Sequence, residues 1–405
     1  MSGASFPGDP TVLAELPAES ALIALATSRA PGQEALRAVL ERPIDWARLM
    51  ALAARERAIV ALNDQLAVTP VPTAQPAEVA NLQRLAMIWE FQLASLHDRL
   101  GRMLALYASH DIDVLLLKGA GLAYSAYSRP TERPMGDVDA LVRGEDATRA
   151  WELALANGWV RRSDVSAERS YAEHQHLPPL EDADGLRTGL ELHTALFTQQ
   201  APFQLPPDQM WESARRLTIS GYPAYVPGPE DQLVHAALHF AWSHEMTFGA
   251  FRTIRDVERI IAHGPIDWAV LVRKARASRG ATCCYWTLRL ARDLAGVEVP
   301  VEVLEELGPK LPKRMLRSLT RFFAEHALPN PDLIVNSVSL SRAMWSLGVR
   351  PRSQGHGRSR PWLDTEEWVR LPGGGGMQKA RASAARRFIK QSFGLLRTVG
   401  SLMGP

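Results

Sequence analysis

Apolar positions in this chain change their spacing at His110, and the change divides helix from sheet. From residue 82 to 107, Leu82, Leu85, Trp89, Leu93, Leu96, Leu100, Met103 and Tyr107 recur at three- and four-residue steps, one continuous face of a long helix. After His110 the run DVLLLKG (113–119) reads as a buried strand ending in glycine, and GLAYSAYS returns to helical spacing. The loop RPTERPMG (129–136) delivers the chain to DVDALV, where polar and apolar positions alternate as in a strand. EDATRAWELALANG (145–158) is helical with Gly158 as its stop. WVRRSD, HQHLPPLED and GLRTGLELHTAL then read as three strand-like segments separated by turn residues.

The flanks are helical. ESALIALATS and IDWARLMALAARERAIVALNDQLAV precede TPVPTAQP (69–76), whose prolines break the pattern. After Pro229, PEDQLVHAALHFAWSHE, FRTIRDVERIIAHG and IDWAVLVRKARASRG resume it to about residue 348. RPRSQGHGRSRP and LPGGGG (371–376) have linker composition. The expected architecture is an α+β fold: a small mixed β-sheet core flanked by N-terminal and C-terminal helical regions. Its expected divisions are an N-terminal helical region (1–76), a core with its leading long helix (77–228), a C-terminal helical domain (229–348), and a linker with a basic amphipathic tail (349–405).

Bulk composition changes little. The chain has 405 residues, a net charge of +2 and the apolar content of an ordinary globular protein. That balance carries no strong nucleic-acid signal. The two cysteines, Cys283 and Cys284, are adjacent and match no spaced metal motif, which suits a reducing compartment. The first twenty residues lack the basic and apolar regions of a signal peptide, and no apolar run is long enough to span a bilayer. A cytoplasmic location is expected. The segment 377–405 carries six basic and no acidic side chains among apolar ones, a composition that suits weak contact with an anionic membrane or an acidic partner.

Candidate chemistry begins at MGDVDALV. Asp137 and Asp139 are two apart in a strand, so both carboxylates point to one side and repel. A divalent cation between them would offset that repulsion; two polar residues capping a solvated strand end would also account for them. His193 lies two residues beyond Glu191 and shares its face. His174 and His176 read as polar strand-face residues, with no further ligands at zinc spacing. His235 and His239 are four apart on one helix face, and Arg255–Asp256 reads as a structural helix pair.

Taken together, LLLKGAGLAY, RPMGDVDALV and GLELHTAL resemble the nucleotidyltransferase superfamily. They resemble most the uncharacterised bacterial nucleotidyltransferase-like family with Lys-Gly in its first motif, an "acidic, apolar, His" third motif and a histidine-bearing helix after the sheet. The resemblance spans roughly residues 80–262 and is firmest at 115–142. It implies that Asp137, Asp139 and Glu191 are catalytic ligands of Mg²⁺ or Mn²⁺, and that Gly119 admits nucleotide phosphates to the backbone. Lys118 stands where most of the superfamily has glycine; it is either a phosphate contact or a solvated strand-end lysine. Arg133, His193 and His239 are further candidates for binding the nucleotide. The activity implied is transfer of a nucleotidyl or phosphoryl group from an NTP to a hydroxyl of a small molecule or peptide. A D-x-D sugar-nucleotide glycosyltransferase and a catalytically inactive nucleotide-binding protein are the alternatives.

Overall fold

The computed structural model describes residues 10–28, 33–69, 76–162, 174–183, 188–328 and 344–349, and the backbone of 368–369 and 378–379. The linker-like stretches 350–361 and 371–376 and most of 69–76 lie outside the described residues. So does the basic segment 377–405, apart from the backbone of Gln378–Lys379.

The chain adopts the expected α+β architecture. Seven strands form one mixed sheet: β1 (Leu115–Leu116), β2 (Asp137–Leu141), β3 (Trp159–Arg161), β4 (Leu180–Asp182), β5 (Gly189–His193), β6 (Arg215–Ile219) and β7 (Tyr222–Val226). Their spatial order is β3-β4-β5-β2-β1-β7-β6. β2 runs parallel to β5 and antiparallel to β1, and β1 runs parallel to β7. The hairpin β6–β7 was not expected from the sequence; its two-residue turn, Ser220–Gly221, has both residues in the left-handed region, as hairpin twist requires.

Alternation along β2 and β5 separates two apolar cores. Val138, Ala140, Leu190 and Leu192 join Leu93, Leu100, Met103 and Tyr107 of the long helix Pro76–Ala108 in one buried cluster. The Tyr107 hydroxyl donates to Ala150 O at 3.1 Å and ties that helix to the helix Ala147–Ala156. Leu141 belongs to the second cluster, which joins the N-terminal helices to those after Pro229. Ser20 donates to Leu328 O at 2.9 Å across that join. The two helical flanks, distant in sequence, thus share one core over the carboxylate-bearing face of the sheet.

Three local expectations are corrected. The strand in DVLLLKG stops at Leu116, and Lys118 opens the helix Lys118–Ser125. HQHLPPLED supplies only β4 and a single bridge between His176 and His193. The segment IDWARLMALAARERAIVALNDQLAV is two helices, Trp46–Arg55 and Ile59–Val68, because Arg57 takes a left-handed φ of 56° between them.

Candidate active site

The register of β2 against β5 builds the site. Asp139 lies opposite Glu191, and Leu141 opposite His193. Period-two alternation puts Asp137, Asp139, Glu191 and His193 on one face. Gly189 sits opposite Asp137, where a Cβ would lie 3.2 Å from the Asp137 Cβ. A main-chain hydrogen bond from Leu117 N to Asp139 O, 2.9 Å long, anchors the turn that carries Lys118. Lys118 itself has a φ of 45°, unusual for a residue with a side chain. Its ammonium donates to Asp139 Oδ1 at 2.7 Å, so it is neither a strand-end residue nor directed to solvent.

His193 completes the cluster. Its Nε2 is 2.9 Å from Asp139 Oδ1 and 3.6 Å from Glu191 Oε2, and its Nδ1 is 3.3 Å from Ala195 O. Both ring nitrogens face oxygen acceptors, which favours the imidazolium. Burial opposes that charge, but the bonds to Asp139 and Glu191 prevail and raise the His193 pKa. Burial likewise works to raise the Asp139 pKa, yet Lys118 and His193 hold it well below the usual value. For Glu191 burial is again outweighed, chiefly by His193, and the net shift is downward. Asp137 moves the other way: burial raises its pKa, and the charges of Asp139 and Glu191 add to that rise. Asp137 is therefore the carboxylate whose charge the protein leaves undercompensated.

Carboxylate oxygens of Asp139 and Glu191 lie within 4.8 Å of each other and of the His193 ring nitrogen, which as an imidazolium offers no lone pair to a metal. With Asp137 on the same face the donor set is rich in carboxylate oxygen, which suits a hard divalent cation. The repulsion that raises the Asp137 pKa is what such a cation would relieve. The residues fit a metal.

A cavity of 380 Å³ opens beside these carboxylates, between the sheet face and the helices Pro229–Leu238 and Ala250–His263. Lys118, Gly119, Arg133, Asp137, Asp139, Glu191 and His239 all line it, as do His176, His235, His244, Arg57 and Arg252. Gly119 packs closely against the loop before β2, and a Cβ there would sit 3.0 Å from the Met135 Cβ. Arg133 reaches the wall but is committed elsewhere. Its Nε and Nη2 donate to Asp256 Oδ1 and Oδ2 at 2.6 and 2.8 Å, and Tyr127 donates to the same carboxylate at 2.7 Å. Asp256 therefore does not pair with its neighbour Arg255, as the sequence reading expected. Arg255 instead lies over the rings of Tyr127 and Phe251.

His176 was read as a strand-face residue and is in the site. Its Nε2 lies 3.9 Å from Glu191 Oε2 and its ring 5.4 Å from that of His193. Across the cavity, the helix Pro229–Leu238 continues into a π-helical turn, His239–Ser243, a distortion often found at functional sites. His239 and His244 pack edge to face there with ring centres 4.4 Å apart. Neither Arg57, Arg252 nor His244 carries a sequence signal, because tertiary contacts alone bring them to the cavity.

The histidine wall is neutral. Burial pushes His235 down to about 3 and His244 to about 4, and lowers His239 well below its usual value. An imidazole with a depressed folded pKa contributes stability above its unfolded value of about 6.5, and that contribution is lost as pH falls toward the folded value. Thermal unfolding should therefore show melting temperature falling steadily from pH 6.5 toward pH 4. His235→Met, which removes a buried Nε2 without a hydrogen-bond partner, should flatten that slope.

A family model described as "Uncharacterised nucleotidyltransferase" matches residues 42–296. No curated protein matches the chain. No helix among the described residues is long and apolar enough to cross a membrane.

Proposed function

The chain belongs to that family of uncharacterised nucleotidyltransferases, and on this premise we propose that it moves a nucleotidyl or phosphoryl group from an NTP to a hydroxyl of a small molecule or peptide. The observation that carries the reading is the alignment of Asp139 with Glu191 across parallel strands, with Asp137 on the same face and a cavity beside them. Mg²⁺ or Mn²⁺, held by Asp137, Asp139 and Glu191, would when bound polarise the transferring phosphoryl group and acidify the acceptor hydroxyl.

The chain's own residues set up that chemistry. Depressed pKa values keep Asp139 and Glu191 ionised at neutral pH, which suits them to holding a cation and not to proton transfer. His193, with its Nδ1 facing Ala195 O and its Nε2 facing Asp139, fixes the rotamer of that carboxylate. Lys118 donates to the same Asp139 oxygen that His193 faces, Oδ1, and lines the cavity the phosphates would enter. His239, uncharged through burial, offers a neutral hydrogen-bonding edge to the nucleotide or acceptor. Membership of the family weighs against a D-x-D glycosyltransferase.

The test is mass spectrometry of a cell extract incubated with the protein, Mg²⁺ and each NTP in turn. One extract component should gain the mass of a nucleotidyl or phosphoryl group, and the product should vanish with EDTA. Magnesium-dependent NTP binding without any product would identify an inactive nucleotide-binding protein. Undiminished product from the Asp137→Asn/Asp139→Asn double variant would place the chemistry elsewhere.

A further inference from the structure

Four lysine and arginine side chains line the cavity: Arg57, Lys118, Arg133 and Arg252. Two are spent on carboxylates, Lys118 on Asp139 and Arg133 on Asp256. Among the described residues Arg57 and Arg252 have no such ion pair. They also reach the cavity by local backbone exceptions. The left-handed φ of Arg57 interrupts two helices and lays its guanidinium over Gly136, where a Cβ would come within 2.8 Å of Nη2. Arg252 stands in the first turn of the helix Ala250–His263, behind Gly249 at φ 76°. Its Nη2 lies 3.0 Å from where a Gly249 Cβ would be. Its Nε is buried without a hydrogen-bond partner, and its guanidinium lies 5.1 Å from the Phe248 ring centre.

These two cations are held together at a cost. Burial lowers the Arg252 pKa to about 10, and the charges of Arg133 and Arg57 push it the same way. Burial lowers that of Arg57 too, opposed by Asp137 and reinforced by Arg133. Two unpaired guanidinium groups facing one cavity leave it with an anion-shaped deficit, since planar N–H forks match phosphate oxygens in pairs. The cavity is bipolar: carboxylates at the sheet, and opposite them guanidinium groups with no ion pair among the described residues.

We infer that Arg57 and Arg252 form the subsite for the terminal phosphates of the NTP donor. The inference rests on the nucleotidyltransferase reading and gives the phosphate-neutralising role to residues outside the Lys-Gly motif. A polyphosphate fits this position better than a single carboxylate, because it carries charge for both arginines while still reaching a cation held at Asp137. The N-terminal helical region thereby supplies part of the donor site.

The experiment is calorimetric titration of the full chain with Mg²⁺ and, separately, each NTP, its NMP and inorganic tripolyphosphate. Wild type should bind its NTP more tightly than the NMP. Arg57→Gln and Arg252→Gln should each shrink that ratio about tenfold, the scale of one charge-assisted hydrogen-bonded contact of about 1.4 kcal/mol. NMP affinity should stay within about twofold in the same variants, and Arg57→Lys and Arg252→Lys should recover part of the ratio. Because burial is the largest effect opposing the charge of both side chains, the melting temperature of the ligand-free protein should not fall. An unchanged NTP-to-NMP ratio in both glutamine variants overturns the subsite, as does an equal loss of NTP and NMP affinity. If wild type binds tripolyphosphate through the two arginines but no NTP, the anion subsite stands and the nucleotidyltransferase reading fails. Binding of neither ligand overturns both.

Discussion

Asp137→Asn and Asp139→Asn should both abolish metal-dependent transfer while moving thermal stability in opposite directions. Asp139 is the shared anion of Lys118 and His193, at 2.7 and 2.9 Å. Its amide would leave an ammonium and an imidazolium facing each other without a counter-charge. Removing one member of a buried ion pair costs about 3–5 kcal/mol, and the partial exposure of Lys118 places this loss at the lower end. Asp137 has a raised pKa, through burial and through repulsion from Asp139 and Glu191. A carboxyl whose folded pKa lies above its unfolded one destabilises the fold whenever it is ionised, so at neutral pH Asp137→Asn should raise the melting temperature of the metal-free protein. Activity in either variant should fall below about a hundredth of wild type, the scale of losing one electrostatic stabiliser of a transition state. Matched melting curves and turnover at pH 7.5 check both halves. Retained turnover in the Asp139 variant, or a lowered melting temperature in the Asp137 variant, contradicts the charge balance described.

The second large effect lies at Arg133 and Asp256. Their bidentate pair is buried on both sides, and Tyr127 donates a third bond to the same carboxylate. Asp256→Asn should destabilise by about 3–5 kcal/mol, because Arg133 would remain buried without its counter-charge. The double variant Arg133→Met/Asp256→Asn should recover much of the loss, since no charge is then stranded. Denaturant titrations of the two singles and the double form a cycle that isolates the pair. Equal destabilisation in single and double variants would show that packing, and not charge, governs this corner. The same pair commits the guanidinium of Arg133, a candidate nucleotide contact from the sequence, to Asp256.

Several features were legible because they depend on spacing alone. The face of the long helix, the alternation of DVDAL and the stop at Gly158, whose φ is 91°, follow from local geometry. The hairpin β6–β7 carries a weaker and conflicting signal. Its Ser-Gly turn was present, but Pro223 argues against a strand, and the outward residues of β6 give little alternation. The structure admits that proline because β7 meets β1 only at Tyr225, two residues further on.

By itself, the sequence determined that Asp137 and Asp139 share a face, that Glu191 and His193 share another, and that both faces belong to short strands among helices. Those are consequences of a two-residue period within a single segment. Only the tertiary structure decided that the two faces are one, by pairing Asp139 with Glu191 across about fifty residues of intervening chain. It also decided which cations the carboxylates receive. Lys118 turns onto Asp139, Asp256 takes Arg133 and leaves Arg255, and Arg57 and Arg252 reach one cavity from segments that precede and follow the sheet in the chain. Coulomb attraction between side chains reads distance in space and not separation along the chain; spacing can name the acids, but the packing of distant helices chooses their partners.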